Sequence, residues 1–173
     1  MIIVEYQGKR PRIAEGVFIA PTAVLIGDIS VGEGSSIWYG TVLRADFGKI
    51  TIGKNTSIQD NVVIHMTPGG ETKIGDNCTI AHGVVLHTAT VGDGSVVGMN
   101  AVLLDNCVVG DQCMIAAGSV VTSGSSIPGR HLAAGSPATP KKEISGEALN
   151  WVTASSMAYS HLSKTYLDQG LDK

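Results

Sequence analysis

An aliphatic residue returns at every sixth position along most of this chain, and no other feature of the sequence constrains the fold as much. The repeating residues are Ile13, Ile19, Leu25, Val31, Ile37 and Leu43, then Ile52, Ile58 and Ile64, then Ile74, Ile80 and Leu86, and last Val91, Val97, Leu103, Val109, Ile115, Val121, Ile127 and Ala133. A short fixed period predicts a β-helix, in which each hexad supplies one short strand and one corner. The predicted fold class is therefore an all-β solenoid.

Turn-forming residues stand three positions after most of these aliphatics. They are Gly16, Asp28, Gly34, Gly40, Asn55, Asn61, Asn77, Gly83, Gly94, Asn100, Asn106, Gly118 and Gly124. These residue types tolerate positive φ best, so each predicts a sharp corner. The period is interrupted by three extra residues after Leu43, four extra after Ile64 and one fewer after Leu86. With three hexads in each triangular coil, all three interruptions fall at one corner, which supports a solenoid of about seven coils.

The chain is predicted to form one domain. Residues 1 to about 12 read as an opening strand with a turn at Gln7-Gly8, and the repeats fill roughly 13 to 138, so that 1–138 is the β-helix with its N-terminal strand. Residues 139–173 follow a proline-punctuated segment and carry apolar residues at spacings of three, four and seven. That spacing predicts one amphipathic α-helix, from about 143 to 168, packed on the solenoid.

Composition argues against several classes of partner. The net charge of −3 does not favour binding to nucleic acid or to an anionic membrane. No apolar run approaches the roughly 20 residues that cross a bilayer, and the N-terminal residues lack the features of a signal peptide, so a cytoplasmic location is expected. Cys78, Cys107 and Cys113 share a hexad position that elsewhere holds small residues, which predicts buried thiols rather than disulfides.

Two histidines are predicted to lie side by side on the third face of the solenoid. The residues directly after the core aliphatics of that face form one outward-pointing column, which reads Ile26, Arg44, His65, His87, Leu104 and Thr122. Successive coils stack about 4.8 Å apart. His65 and His87 are therefore neighbours, and both imidazoles can reach one ion at the zinc–nitrogen distance of about 2.0–2.1 Å.

A third histidine belongs to a different part of the surface. His82 lies beside the corner between the second and third faces, with Asp60 before it in the same column and Gln59 alongside. The five residues from His82 to His87 span up to about 16 Å, which is long for two ligands of one metal. A ring of identical subunits with threefold symmetry resolves this, because each interface then combines His65 and His87 with the neighbour's His82. Polar packing at an interface without a metal is the alternative.

Three neutral histidines that leave a fourth position open are typical of a catalytic zinc site. Such an ion lowers the pKa of its bound water to about 7 and so generates hydroxide at neutral pH. The cysteines fall outside these columns, whereas closed structural sites usually contain thiolates. The chemistry that this pattern predicts is attack of a metal hydroxide on a small electrophile.

The hexads, the C-terminal helix and several short motifs resemble the gamma-class carbonic anhydrase family. The motifs are Arg44-Ala45-Asp46, Gln59-Asp60, His65, and the pair His82 and His87. The resemblance implies a left-handed parallel β-helix, a homotrimer, and zinc, iron or cobalt held between subunits by His65, His82 and His87. It also implies that Arg44, Asp46 and Asp60 form interface ion pairs, that Gln59 hydrogen-bonds the metal-bound hydroxide or bicarbonate, and that Tyr159 lies near the metal.

The resemblance is to the compact branch of that family. The loop Met66–Thr72 is short and carries a single acid, Glu71, and Phe47 follows Asp46 where the family prototype has another acidic residue. The function predicted is a zinc-dependent lyase that interconverts carbon dioxide and bicarbonate. Three alternatives stay open: a hexapeptide acyltransferase that uses acyl-coenzyme A and one histidine base, a metal-dependent thioesterase, and a catalytically silent assembly subunit.

Overall fold

A computed structural model describes residues 1–172 as a left-handed parallel β-helix of about seven coils with one C-terminal helix. In chain order the strands are β1 (Ile2–Val4), β2 (Arg12–Ile13), β3 (Phe18–Ile19), β4 (Val24–Val31), β5 (Ser36–Ile37), β6 (Val42–Ile52), β7 (Ser57–Ile58), β8 (Val63–His65), β9 (Glu71–Ile74), β10 (Thr79–Ile80), β11 (Val85–His87), β12 (Thr90–Val91), β13 (Val96–Val97), β14 (Val102–Leu103), β15 (Val108–Val109), β16 (Met114–Ile115), β17 (Val120–Val121), β18 (Ser126–Ile127), β19 (His131–Gly135) and β20 (Ala138–Glu143). The helix α1 spans Gly146–Asp168.

The strands stack into three faces. The first, here called the polar face, contains β2, β9, β12, β15, β18 and the ends of β4 and β6. The second, the helix face, runs from β3 to β19 through β5, β7, β10, β13 and β16, with β20 at its edge. The third, the valine face, contains β1, β8, β11, β14, β17 and the starts of β4 and β6.

The predicted register is confirmed by the strand pairing. Leu43 pairs with Ile64, Ile64 with Leu86, and Leu86 with Leu103, so each core aliphatic stacks on the one three hexads away. These side chains are completely buried, and full burial of one Leu or Ile stabilises the fold by about 1.5–3 kcal/mol. The interior is thus a continuous ladder of apolar side chains that fixes which outward residues are neighbours.

The corner predictions hold with one exception. Twelve of the thirteen predicted turn residues have positive φ, but Asp28 does not, and Gly27 (φ +83°) takes that role. A Cβ on Gly27 would lie 2.3 Å from the carbonyl oxygen of Ala45, so only glycine fits there. Asp28 instead forms ion pairs with Lys9 and Arg12.

Between the last repeat and the C-terminal helix, the structure differs from the prediction. β20 pairs antiparallel with β19, a hairpin that the periodicity did not predict, and α1 begins at Gly146 rather than near 143. The helix packs on the helix face, where Trp38 contacts both Tyr159 and Tyr166 edge to face. Among residues 1–172, no helix is both long and apolar enough to cross a membrane.

The three cysteines are buried free thiols, as predicted. Burial raises the pKa of Cys78 to about 12 and that of Cys107 to about 11, and it also raises the pKa of Cys113. Because the thiolate is the reactive form, we expect the folded protein to release no thionitrobenzoate from Ellman's reagent at pH 8. The urea-unfolded chain should react at all three cysteines, and rapid labelling of the folded protein would contradict this burial.

Candidate metal centre

His65 and His87 lie side by side at the ends of β8 and β11. The two residues are direct partners in the parallel ladder, and Nδ1 of His65 stands 3.3 Å from Nε2 of His87. Two nitrogens bound to one tetrahedral zinc at about 2.0–2.1 Å stand about 3.3–3.4 Å apart. The separation also permits a direct N–H···N hydrogen bond. The pair therefore has the spacing of two ligands of one ion.

In each of these histidines, the ring nitrogen that faces away from the other histidine lies within hydrogen-bond distance of a carboxylate. Nε2 of His65 is 2.8 Å from Asp46, and Asp46 also forms an ion pair with Arg44 at 2.5 Å. Nδ1 of His87 is 2.5 Å from Asp105. Burial raises the pKa of Asp46, but the contacts with His65 and Arg44 outweigh it, so the pKa lies below its usual value. The pKa of Asp105 is lowered first by its hydrogen bond with His87. Both acids are therefore ionised at neutral pH.

His82 belongs to a second group, at the corner between the helix face and the valine face. Its Nδ1 lies 2.9 Å from Asp60. Gln59, His82 and Tyr159 share a cavity of about 430 Å³ beneath α1. Burial raises the pKa of the Tyr159 phenol, and the charge of Asp60 raises it further. Most of the other lining residues are apolar; they include Val96, Met99, Met114 and Trp151.

The two groups share one feature, a carboxylate beside each imidazole. All three histidines bond one ring nitrogen to a carboxylate, which leaves Nδ1 of His65, Nε2 of His87 and Nε2 of His82 for another ligand. Carboxylate-backed histidine is the usual arrangement of a metal-ligating imidazole. Within one chain, no three His, Cys, Asp or Glu side chains of residues 1–172 are placed to hold an ion. Imidazole donors of this kind fit zinc, and within residues 1–172 of one chain the His65–His87 pair and His82 form separate groups.

A column of β-branched side chains accompanies the histidine pair. On the valine face the outward residue before each core aliphatic is, coil by coil, Ile2, Val24, Val42, Val63, Val85, Val102 and Val120. Val63 and Val85 are 40% and 37% exposed. The corresponding positions of the polar face include Arg12, Ser30, Thr51 and Lys73. The valine column is thus apolar, and Val63 and Val85 at its centre are exposed beside the histidine pair.

Phe47 and Glu71, the two residues that distinguish the compact loop region, have different surroundings. Phe47 is about half exposed, and its ring packs against the His65 imidazole with centroids 5.5 Å apart. Glu71 contacts Thr51 at 2.7 Å and Lys49 at 3.5 Å on the polar face. The single acid of the loop is therefore engaged by residues of that face.

Sequence reasoning missed two residues of the site, Asp105 and Thr88. Asp105 stands two residues after the core aliphatic Leu103, as Asp60 stands two after Ile58, and that shared position was the available signal. Thr88 occupies the corner that is one residue short, and it has φ +47°, a conformation that is rare for a β-branched residue. This strained residue directly follows His87.

The Thr88 hydroxyl fastens the compact loop, because it accepts a hydrogen bond of 2.8 Å from the backbone N–H of Thr67. Replacing Thr88 by Ala leaves that donor without its partner, whereas Thr88→Ser keeps the hydroxyl. Both substitutions remove the same γ-methyl group. We expect the Ser variant to have a free energy of unfolding about 1–3 kcal/mol above that of the Ala variant, measured in urea at one protein concentration. Equal stabilities would contradict this role.

The repeats and the coils define the class of protein, a hexapeptide-repeat β-helix. The model of "Bacterial transferase hexapeptide (six repeats)" matches residues 88–123, and that of "Hexapeptide repeat of succinyl-transferase" matches residues 49–88. The crystal structure of a hexapeptide transferase family protein from Anaplasma phagocytophilum superposes with a TM-score of 0.92. That protein is 40% identical, and the match covers 95% of this chain and 98% of the other.

Two curated relatives narrow the class to a family. "Probable carbonic anhydrase" of Methanocaldococcus jannaschii is 46% identical over 88% of this chain and 96% of its own length. "Gamma carbonic anhydrase 2, mitochondrial" of Arabidopsis thaliana is 40% identical over 93% of this chain. The chain belongs to the gamma carbonic anhydrase family. It spans 60% of the length of the Arabidopsis relative.

Proposed function

We propose that this protein is a zinc-dependent carbonic anhydrase that reversibly hydrates carbon dioxide to bicarbonate. The observation that carries the proposal is the pair His65 and His87, whose facing nitrogens stand 3.3 Å apart while each ring is held by a carboxylate. Membership of the family implies a metal cofactor in general. Zinc is the ion that the three-imidazole donor set favours, and iron or cobalt are the alternatives.

We further propose a homotrimer in which each interface completes one site. The valine face of one subunit, which carries His65 and His87, would pack beside the corner of the next subunit that carries His82, so that the three imidazoles meet. Two features support this arrangement. The valine column is apolar and exposed at Val63 and Val85, and neither half-site (the His65–His87 pair on one side, His82 on the other) holds three ligands among the described residues. A heterologous contact that closes with threefold symmetry buries every copy of this face.

Bound zinc supplies a Lewis acid that makes water acidic enough to ionise near neutral pH. The side chains of this chain then bind and orient the reactants. Gln59 is almost completely buried and ends in the cavity beside His82, where its amide can donate to one oxygen of bicarbonate and accept from another. Arg44 and Asp46 hold His65 in place, and Asp60 does the same for His82.

Tyr159 reaches this cavity from α1. A tyrosine phenol is protonated at neutral pH, and burial and Asp60 raise the pKa of this one further, so it can donate a hydrogen bond to substrate. Most of the other side chains around it are apolar, an environment that suits uncharged carbon dioxide better than bicarbonate. The helix thereby contributes one wall of the proposed site.

A second candidate function is acyl transfer from acyl-coenzyme A. The observation that favours it is the His82–Asp60 pair beside an apolar cavity, because a carboxylate-oriented histidine is a suitable general base for a hydroxyl or amine acceptor. This function uses His82 alone and leaves the His65–His87 pair without a role, so it ranks second. A metal-dependent thioesterase would use the complete metal site on a thioester. Titration with coenzyme A distinguishes an acyltransferase from the carbonic anhydrase.

The test is metal analysis of protein purified without oxygen, followed by stopped-flow hydration of carbon dioxide on the same sample. We expect one metal ion per chain and hydration that is lost on chelation and restored by Zn²⁺. His131→Ala serves as a control, because that imidazole contacts the carbonyl of Gly129 away from both half-sites. A metal-loaded protein without hydration activity would contradict the proposed reaction, and a protein without stoichiometric metal would contradict the site.

A further inference from the structure

Asp105 makes the closest contact with either member of the histidine pair. Its Oδ1 lies 2.5 Å from Nδ1 of His87. The residue follows β14, which pairs with β11, so Asp105 lies on the coil next to that of His87. Its side chain is only 35% exposed. A short bond of this kind between imidazole and carboxylate is charge-assisted and geometrically specific.

Backbone hydrogen bonds hold the chain on both sides of this contact. The N–H of Asn106 donates to the carbonyl of Thr88 at 2.8 Å, which ties the residue after Asp105 to the residue after His87. The N–H of Thr88 donates to the carbonyl of His65 at 3.2 Å. Together with the strained φ of Thr88, these bonds leave the His87–Asp105 pair little freedom to separate. Strain that is held by many contacts is typical of preorganised sites.

The two carboxylates of the histidine pair differ in their other partners. Asp46 divides its charge between His65 and the guanidinium of Arg44. Among the described residues, no Arg or Lys lies within ion-pair distance of Asp105, whose side-chain hydrogen-bond partners are His87 and the hydroxyl of Thr88. Unlike Asp46, Asp105 shares its charge with no guanidinium, and its contact with the His87 imidazole makes that ring a stronger ligand.

We propose that Asp105 is a positioning residue for the metal centre: it holds the proton of His87 on Nδ1 and so presents the Nε2 lone pair towards Nδ1 of His65. This inference rests on the proposed function, because it assumes that His87 is a metal ligand. Asp105 itself touches neither the ion nor the substrate. Its effect on catalysis passes through the orientation and basicity of one ring.

The first test measures Zn²⁺ affinity by competition with a chromophoric chelator, and the absorption spectrum of the Co²⁺-loaded protein. Asp105→Asn and Asp105→Ala are expected to weaken Zn²⁺ binding by about 10–100-fold and to alter the d–d bands. Asp28→Asn is the matched control, because it removes an acid that pairs with Lys9 and Arg12 away from the histidines. Light scattering measures the mass of each variant, which should equal that of the wild-type protein.

The second test needs no substitution. In the wild-type zinc-loaded protein, ¹⁵N NMR of the imidazoles should show His87 protonated on Nδ1 and metal-bound through Nε2. Binding through Nδ1, or wild-type affinity and spectra in both Asp105 variants, would overturn the positioning role while leaving the metal site intact. Failure of the wild-type protein to bind Zn²⁺ would instead overturn the proposed function, and the inference with it.

Discussion

His82→Ala and His87→Ala proteins should each be metal-free and inactive alone, yet recover about a quarter of the wild-type sites when they are unfolded together in equal amounts and refolded. In a cyclic trimer that contains both variants, one interface pairs an intact His65–His87 half-site with an intact His82. Random assembly gives mixed trimers three times in four, and each mixed trimer has one complete site in three. Metal analysis and stopped-flow hydration of the refolded mixture measure the recovery.

The matched control combines His65→Ala with His87→Ala. Both residues lie in the same half-site, so every interface of every mixed trimer lacks one of them, and the mixture should stay inactive. Recovery in this control, or none in the first mixture, would contradict a site shared between subunits. The comparison is insensitive to refolding losses, because both mixtures pass through the same procedure.

The sequence predicts the histidine pair because the solenoid is nearly one-dimensional. Each coil contacts its neighbours through the same columns, so counting hexads from Ile64 to Leu86 is enough to place His65 beside His87. The interruptions leave the assignment of residues to faces unchanged, because all of them fall at the corner where the chain leaves the valine face. Few folds allow such placement, because in most of them long-range contacts are not periodic.

Three departures from the predicted pattern, at Thr88, Gly27 and β20, are decided by contacts that the period does not encode. Thr88 takes a left-handed conformation in the corner that has one residue fewer, and nothing in its side chain signals this. Gly27 replaces Asp28 as the turn residue because the backbone of the next coil approaches at Ala45. β20 follows the last repeat and is formed by pairing with β19. In each case a tertiary contact, rather than local propensity, decides the conformation.

The position of Tyr159 could not be predicted from the sequence pattern either. An amphipathic pattern predicts that a helix forms and which residues face the protein, but it does not predict where along the solenoid the helix packs. That position is fixed by an aromatic cluster, in which Phe18 and Trp38 contact Tyr166. The placement of Tyr159 beside Gln59 and His82 follows from this packing. The family resemblance, rather than the spacing, pointed to this tyrosine.

Charging the valine column should separate the subunits. In the double variant Val63→Asp/Val85→Asp, each interface would bury two carboxylates, and each buried, unpaired charge costs several kcal/mol. Asp is the suitable choice because its short side chain cannot extend its charge back to water as Lys does. We expect light scattering to give the 17.9 kDa mass of one chain, where the wild-type protein gives three times that mass, and we expect metal and hydration activity to be lost together.

Val108→Asp is the control that distinguishes lost assembly from lost folding. Val108 is 44% exposed, slightly more than Val63 and Val85, but it lies on the polar face. The same substitution there changes local strand propensity by less than about 1 kcal/mol and should leave mass, metal and activity unchanged. The double variant should keep the wild-type far-ultraviolet circular dichroism, because both valines point away from the core. A trimeric, metal-loaded double variant would show that subunits meet elsewhere, and the shared site would then have no interface to complete it.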